Sequence, residues 1–417
     1  MEKEDICDPS LEKCSAIYEN ILEFQYSFGY NTQKYFNMCV ADKCTIIFGS
    51  GNLIHIYNIE KGERRFHRTL TGGGIGHITK NPLFEHIAVA DNGYEPMVVI
   101  YNWPSMDVIS VLRGGTTKSY SFMSYSPDGE MLCVQGGDPD FLLTIWDWRN
   151  AVILRQQRSH VNDVYNIVFS PYSPQMMCTG GWKHINFWKI AKTFSGLKLM
   201  KKPGRFGKRE ASNVIGILPL PDGQVISGCE WGNMLLWNDG VIKMELCGLN
   251  GQPCHEAPIS QLLLEGKELF SVGRDGMINT WYFEEIENAD PQEENKLEMR
   301  PYRSFRIGSE INKSSLVAIA KQHQHDSDDN NWFAQDANGR LWKVNLSQVN
   351  DLPAEEILLA HAGVVVAIAA SPHHSLLASL DHSGRLLVHD YSKKNLVAHA
   401  EFSSNGSSIN WLPLSSL

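Results

Sequence analysis

A short β-rich run ending in an aromatic residue recurs along this chain, and that recurrence limits the fold more than any single motif. The runs are "NLIHIYNI", "PMVVIYNW", "FLLTIWDW", "HINFWKI", "NMLLWN", "MINTWYF", "RLWKVNL" and "RLLVHDY". Their equivalent positions are Tyr57, Tyr101, Trp146, Trp188, Trp237, Trp281, Trp342 and His389, separated by 44, 45, 42, 49, 44, 61 and 47 residues. A period in the low forties that closes on a Trp-Asp-like pair, intact at Trp146-Asp147, is the signature of WD repeats. The expected fold is all-β: a WD-repeat β-propeller of about eight four-stranded blades, with seven as the alternative. A chain of 417 residues can bury the core this needs.

One repeat, from His255 to Glu285, shows the grammar. An apolar strand (Ile259 to Leu264) meets the turn Glu265-Gly266-Lys267; a second (Leu269 to Val272) meets Gly273-Arg274-Asp275-Gly276; a third runs from Met277 to Phe283. Such a sheet hides its faces only against radial neighbours. The repeat also carries His255, Ser271, Asp275 and Trp281, the polar set of a WD blade, in which Asp accepts from His, and His reaches the Ser hydroxyl and the Trp indole. Ser, His and Asp could also be read as a hydrolase triad, but the spacing is that of a blade and no nucleophile elbow surrounds Ser271. The set reads as a strut. Other repeats lose parts of it: the fourth keeps His160 and Trp188 but its turn "GGWKHI" has no aspartate, and the eighth keeps His361 and Ser379 but has His389 for the aromatic.

The glycine-rich run "TGGGIGHITK" (71–80) ends in lysine, as phosphate loops often do. It lacks the GxxxxGK[ST] spacing and no helix follows it, so it reads as punctuation between blades. Gly76-His77 is expected at the pair that opens a repeat, alongside Ser159-His160, Cys254-His255 and Ala360-His361. The expected organisation is an acidic tail over 1–22, partly disordered, and a propeller over 23–417 with exposed loops near 190–210, 284–311 and 322–331. The last contains His323, His325, Asp326, Asp328 and Asp329, whose spacing matches no defined metal site. "SSINWLPL" (407–414) reads either as the first strand of a further repeat or as a segment that returns to close the ring.

Composition narrows function. A net charge of −10 argues against general affinity for nucleic acid or acidic membranes, and the longest apolar run, "VVVAIAA" (364–370), is too short to span a bilayer. Nine cysteines without a CxxC pair fit reduced thiols, and the start "MEKEDICDPS", charged where a signal peptide would need an apolar core, reads against secretion. Cys39 and Cys44 read as small buried hydrophobes. No cofactor, metal or catalytic motif is evident. Against this background, residues 183–209 hold nine cationic residues and no Asp or Glu. The readings, in order, are a solvated connecting loop, a docking patch for an acidic protein surface such as tubulin, and a nucleic-acid contact, which no accompanying module supports. The candidate docking residues are Lys198, Lys201, Lys202, Arg205, Lys208 and Arg209.

The runs "GGGIGHIT", "VLRGGTTKSYSF", "LTIWDW", "TFSGLKLMKKPGRFGK", "SGCEWGNMLLWNDGVIKMELC" and "WFAQDANGRLWKVNLS", spread over nearly the whole chain, resemble the cilia- and flagella-associated protein 44 family. Glu230-Trp231, where most repeats put Asp-Gly, is the most specific of these features. The resemblance implies a non-enzymatic scaffold of the axonemal tether/tether-head complex, linking an inner dynein arm to the doublet microtubule. It implies localisation to the axoneme of the cilium or flagellum within the cytoplasm and cytoskeleton. The implied partners are a subunit like cilia- and flagella-associated protein 43, an inner-arm dynein heavy chain and tubulin, with no nucleic acid or membrane. Members of that family are much longer, and the match is to their N-terminal propeller part. The alternative function is a general WD-repeat adaptor or trafficking scaffold outside the axoneme.

Overall fold

The computed structural model describes residues 23–194, 196–289, 295–308, 314–322, 331–346 and 354–412. The expected tail over 1–22, the middle of the 284–311 segment and the His/Asp run 323–330 lie outside the described residues. The chain divides into two compact units: residues 30–362, and residues 1–29 with 363–417.

The larger unit holds seven sheets. Blade 1 joins β1 (Cys39–Val40), β2 (Thr45–Ser50), β3 (Leu53–Asn58) and β4 (Glu63–Arg68). Blade 2 joins β5 (Ile75–Lys80), β6 (His86–Asp91), β7 (Met97–Asn102) and β8 (Val108–Arg113). Blade 3 joins β9 (Tyr120–Tyr125), β10 (Met131–Gly136), β11 (Leu142–Asp147) and β12 (Val152–Arg158). Blade 4 joins β13 (Val164–Phe169), β14 (Met176–Gly181), β15 (His184–Thr193) and β16 (Gly196–Pro203). Blade 5 joins β17 (Ile217–Pro219), β18 (Val225–Gly228), β19 (Met234–Asn238) and β20 (Val241–Gly248). Blade 6 joins β21 (Ile259–Glu265), β22 (Glu268–Gly273) and β23 (Met277–Tyr282). A short helix α1 (Phe283–Glu287) then leads to β24 (Lys296–Met299), which pairs in parallel on β20 as a fifth strand of blade 5. The chain returns as β25 (Arg303–Arg306) to complete blade 6. Blade 7 joins β26 (Leu316–Lys321), β27 (Asn331–Asp336), β28 (Arg340–Asn345) and β29 (Glu355–Leu359).

Each gap between neighbouring blades holds its own hydrophobic cluster, because a strand in this arrangement buries side chains on both faces. Ile47 and Ile54 of blade 1 meet Ile87 and Val99 of blade 2, for example, and Leu143 of blade 3 meets Trp188 of blade 4. The series runs round to blade 7, where Phe333, Leu341 and Leu358 pack with Tyr30, Phe48 and Tyr57 of blade 1. The ring therefore closes on seven blades. Trp146, Trp188, Trp237 and Trp281 are each fully buried, removing about 200 Å² apiece, on the order of 5 kcal/mol of gross hydrophobic stabilisation each. A strap of residues 30–37 closes the seam. Gln335 Nε2 donates to the carbonyls of Thr32 (3.1 Å) and Lys34 (2.6 Å), and its Oε1 accepts from Asn37 N (3.1 Å).

The smaller unit contains the eighth sheet: β30 (Val365–Ala370), β31 (Leu376–Asp381), β32 (Arg385–Asp390) and β33 (Asn395–Glu401). Phe28 covers His389 at 4.0 Å, so the histidine in the aromatic position keeps a ring neighbour. Residues 407–412 form no strand, and Trp411 Nε1 donates to Ala369 O at 2.8 Å. Among the described residues eight sheets thus match the eight aromatic runs, seven of them in the larger unit.

Two expectations need correction. The 190–210 segment is not a loop: β15 and β16 pair from Asn186–Pro203 to Thr193–Gly196, forming a hairpin. The run of cations suggested a solvated connecting loop, but an outer strand needs only one apolar face, here supplied by Leu197 and Leu199, which pack in one cluster with Ile190 of β15. The 284–311 segment likewise contains α1, β24 and β25. The described cysteines are all free, and burial pushes the Cys39 thiol up to about 12. No helix among the described residues is long and apolar enough to cross a membrane.

Candidate functional site

The polar set of blade 6 meets as a chain of hydrogen bonds. His255 Nδ1 lies 3.1 Å from both Asp275 carboxylate oxygens, and His255 Nε2 lies 2.8 Å from Ser271 Oγ. Trp281 Nε1 donates to the same hydroxyl at 2.8 Å. Asp275 also accepts from the amides of Glu256 (2.9 Å) and Met277 (3.1 Å). Burial alone would raise the Asp275 carboxyl; the His255 bond and the two amides outweigh it and hold the group below the usual carboxylate range. Ser271 is wholly buried, so its hydroxyl braces the Trp281 indole rather than facing a substrate.

The other blades reveal a rule hidden by substitution. The residue four positions before the inner strand bonds to an acid at the turn between the second and third strands. His255 occupies that position in blade 6, but Thr71 holds it in blade 2 and Thr116 in blade 3. Thr71 Oγ1 donates to Asp91 and Thr116 Oγ1 to Asp140, each at 2.9 Å. In blade 5 Asn213 Nδ2 donates to Glu230 at 2.7 Å. The Trp-hydroxyl bond recurs as Trp237 to Ser227 (2.9 Å) and Trp188 to Thr179 (3.0 Å). In blade 3 the matching position is Val134, so Trp146 Nε1 finds no partner.

This rule corrects the placement of Gly76-His77. His77 is not in the loop that opens a blade but in the inner strand β5, and it lines a central cavity of about 620 Å³. The extra glycines displaced the alignment. Gly72 adopts φ +70°, and a Cβ on Gly76 would come within 2.6 Å of Tyr120 O in the next blade. His77 is buried with neither ring nitrogen hydrogen-bonded, and burial, assisted by the Lys34 ammonium, holds it down at about 3.

Blade 4 has no acid at its turn. His160 instead stacks on His184, ring centroids 3.6 Å apart and planes 12° from parallel. His184 Nδ1 faces the Trp182 carbonyl at 3.1 Å, which can only accept, so that nitrogen carries the proton. Burial lowers His184 to about 4, the His160 and Lys201 charges adding to it.

Beside this stack stands the basic hairpin. Of the six sequence-derived docking residues, two turn back onto the fold, Lys201 and Arg209, and a third, Lys202, is exposed with an exposed partner. Lys201 Nζ donates to Ser159 O at 2.6 Å and lies 5.9 Å from the Trp188 ring centroid; Lys202 pairs with exposed Asp239 at 2.5 Å. Arg209 Nε binds Glu245 Oε2 at 3.1 Å, and Glu245 also accepts from Asn233 (2.9 Å) and Trp231 (3.2 Å). Arg209 thus fastens the Glu230-Trp231 turn. Lys198, Arg205 and Lys208 are exposed.

The hairpin adds two exposed cations that the sequence reading passed over, Lys189 and Lys192. Register places Lys189 opposite Met200, Ala191 opposite Lys198 and Phe187 opposite Lys202, so Lys189, Lys198, Met200 and Lys202 share one face. Met200 is 41% exposed and Phe194, beside the turn, is fully exposed. The alternation of Lys198, Met200 and Lys202 was the available signal. Among the described residues no group of three His, Cys, Asp or Glu side chains could hold a metal ion.

Comparison with known proteins agrees with this architecture. The family model described as the echinoderm microtubule-associated protein first beta-propeller matches residues 78–322. Cilia- and flagella-associated protein 44 of Mus musculus is 35% identical over 94% of this chain, and that of Chlamydomonas reinhardtii 33% identical over 93%. The chain spans 21% and 22% of those two relatives. A solved structure, the Myceliophteria thermophila Cps50 (Swd1) beta-propeller domain, superposes with a TM-score of 0.53 at 17% identity, covering 73% of this chain and 92% of that one, which supports the fold alone. The chain belongs to the echinoderm microtubule-associated protein propeller family and is homologous, over nearly its whole length, to cilia- and flagella-associated protein 44.

Proposed function

We propose that this chain is a non-enzymatic scaffold of the ciliary and flagellar axoneme. Its role is to serve the tether/tether-head assembly that links an inner dynein arm to the doublet microtubule and so supports beating. The observation that carries the reading is the homology to cilia- and flagella-associated protein 44 across 94% of the chain. A non-enzymatic role is supported by the blade network, whose Ser271 and His255 are buried and whose Ser-His-Asp grouping is internally bonded. The partners proposed are a subunit like cilia- and flagella-associated protein 43, a dynein heavy chain and tubulin. The blade 4 hairpin is the surface proposed to meet an acidic protein, since it reverses the sign of a chain of net charge −10.

The test is charge reversal of Lys189, Lys192, Lys198 and Lys202 to Glu, sparing Lys201 and Arg209 because both hold the fold. With the thermal midpoint unchanged, the variant is expected to lose about tenfold or more in affinity for isolated doublet microtubules, and wild-type binding is expected to weaken as salt rises. Equal retention of variant and wild type on doublets would remove the hairpin from the docking surface. A tagged wild-type chain that washes out of detergent-extracted cilia would overturn the axonemal reading itself.

A further inference from the structure

Two outer strands of the ring are eight residues long, β16 and β20, whereas β4 and β8 have six and β12 has seven. β20 does not end its sheet. β24 runs alongside it in parallel, with Glu245 opposite Lys296, Leu246 opposite Leu297 and Cys247 opposite Glu298. The ring therefore already builds a fifth strand on one long outer strand, with an opposite-charge pair across the junction. β16 has the same length, but among the described residues its strand partner is β15 alone.

A strand paired on one side turns alternate N–H and C=O groups outward. On β16 that edge is framed by Lys198, Met200 and Lys202, with Lys189 beside Met200 on the same face and Phe194 exposed at the turn. Like charges repel across a strand pair, so these lysines exclude a second copy of β16 and favour a strand bearing carboxylates.

We propose that β16 is a strand-addition site: an extended acidic segment of a partner protein pairs along residues 197–202 as the fifth strand of blade 4. Its carboxylates would lie against Lys198 and Lys202, the latter exchanging its exposed partner Asp239, and an apolar residue against Met200. The inference rests on the reading of this hairpin as a docking surface and adds the mode of binding.

The experiment uses the full chain and two probes: a peptide whose alternate residues read glutamate, valine, glutamate with threonine between them, so that one face matches Lys198, Met200 and Lys202, and the same peptide N-methylated at alternate residues, which keeps the charge but removes strand hydrogen bonding along one edge. Fluorescence anisotropy is expected to show the unmodified peptide binding about tenfold or more tighter, and hydrogen exchange to show new protection of β16 amides. Lys198→Glu with Lys202→Glu is expected to abolish the difference. Equal binding of both peptides would overturn strand addition while leaving an electrostatic hairpin intact, and so would an absence of binding by either. Loss of doublet binding on charge reversal, together with equal peptide binding, would separate failure of this inference from failure of the docking reading.

Discussion

Asp275→Ala is expected to lower the unfolding free energy of the chain by about 3–5 kcal/mol, a loss large enough to threaten a marginally stable fold. The carboxylate takes His255 Nδ1 and the amides of Glu256 and Met277, and removing it strands the buried imidazole and unties the two amides that hold the turn. The damage propagates, because His255 also sets the Ser271 hydroxyl that receives Trp281. Ser271→Ala removes the acceptor for Trp281 and is expected to cost about 2–3 kcal/mol. Exposed Asp163→Ala is the control, expected within about 0.5 kcal/mol of wild type. Urea unfolding followed by tryptophan fluorescence measures all three. A cost below about 1 kcal/mol for Asp275→Ala would mean that the network does not brace the blade.

Acid is expected to weaken the ring well before its carboxylates titrate. His55 is fully buried between Phe48 and Phe66 with both ring nitrogens unbonded, and burial, with Arg64 adding to it, lowers it to about 3. His77, also held at about 3, behaves alike. In both, the folded state resists the proton that an unfolded histidine accepts near 6.5, so stability is complete above that pH and declines as pH falls toward 3. Each contributes about 2 kcal/mol of loss at pH 5, so together about 4 kcal/mol. His184, at about 4, acts in the same direction. Unfolding free energies at pH 7 and pH 5 give the loss directly. The double variant His55→Phe with His77→Leu is expected to remove roughly half of it or more. An undiminished loss in that variant would assign the acid sensitivity elsewhere.

The repeat made the architecture legible because each sheet sets a ring side chain at the same place in its third strand. All eight aromatic-run positions lie in the third strand of a sheet, and the strands read for residues 259–283 end within a residue or so of those formed. Less visible was what depends on contacts between distant residues. Closure on seven blades follows from packing of Phe333 and Leu341 on Phe48, which no local period encodes. The fifth strand of blade 5 was hidden in a charged insertion because β24 is only four residues long. In the candidate site, spacing exposed the His255–Asp275 pair but concealed its counterparts Thr71–Asp91 and Thr116–Asp140, where hydroxyls replace imidazole. The inward turn of Lys201 and Arg209 was likewise invisible, since a basic run looks the same whether its cations meet solvent or a buried carbonyl.

The strap at the ring seam has a consequence for biosynthesis. Its bonds join Thr32 and Asn37 to residues 305 and 298 positions later. A ribosome extending the chain at about 5–20 residues per second leaves those residues without their partners for roughly 15–60 s. During that interval the flank of blade 1 carrying Tyr30 and Phe48 is uncovered, because Phe333 and Leu341 have not yet been made. A pause or truncation before residue 335 therefore leaves that apolar flank of blade 1 open, the kind of transiently exposed surface on which aggregation starts.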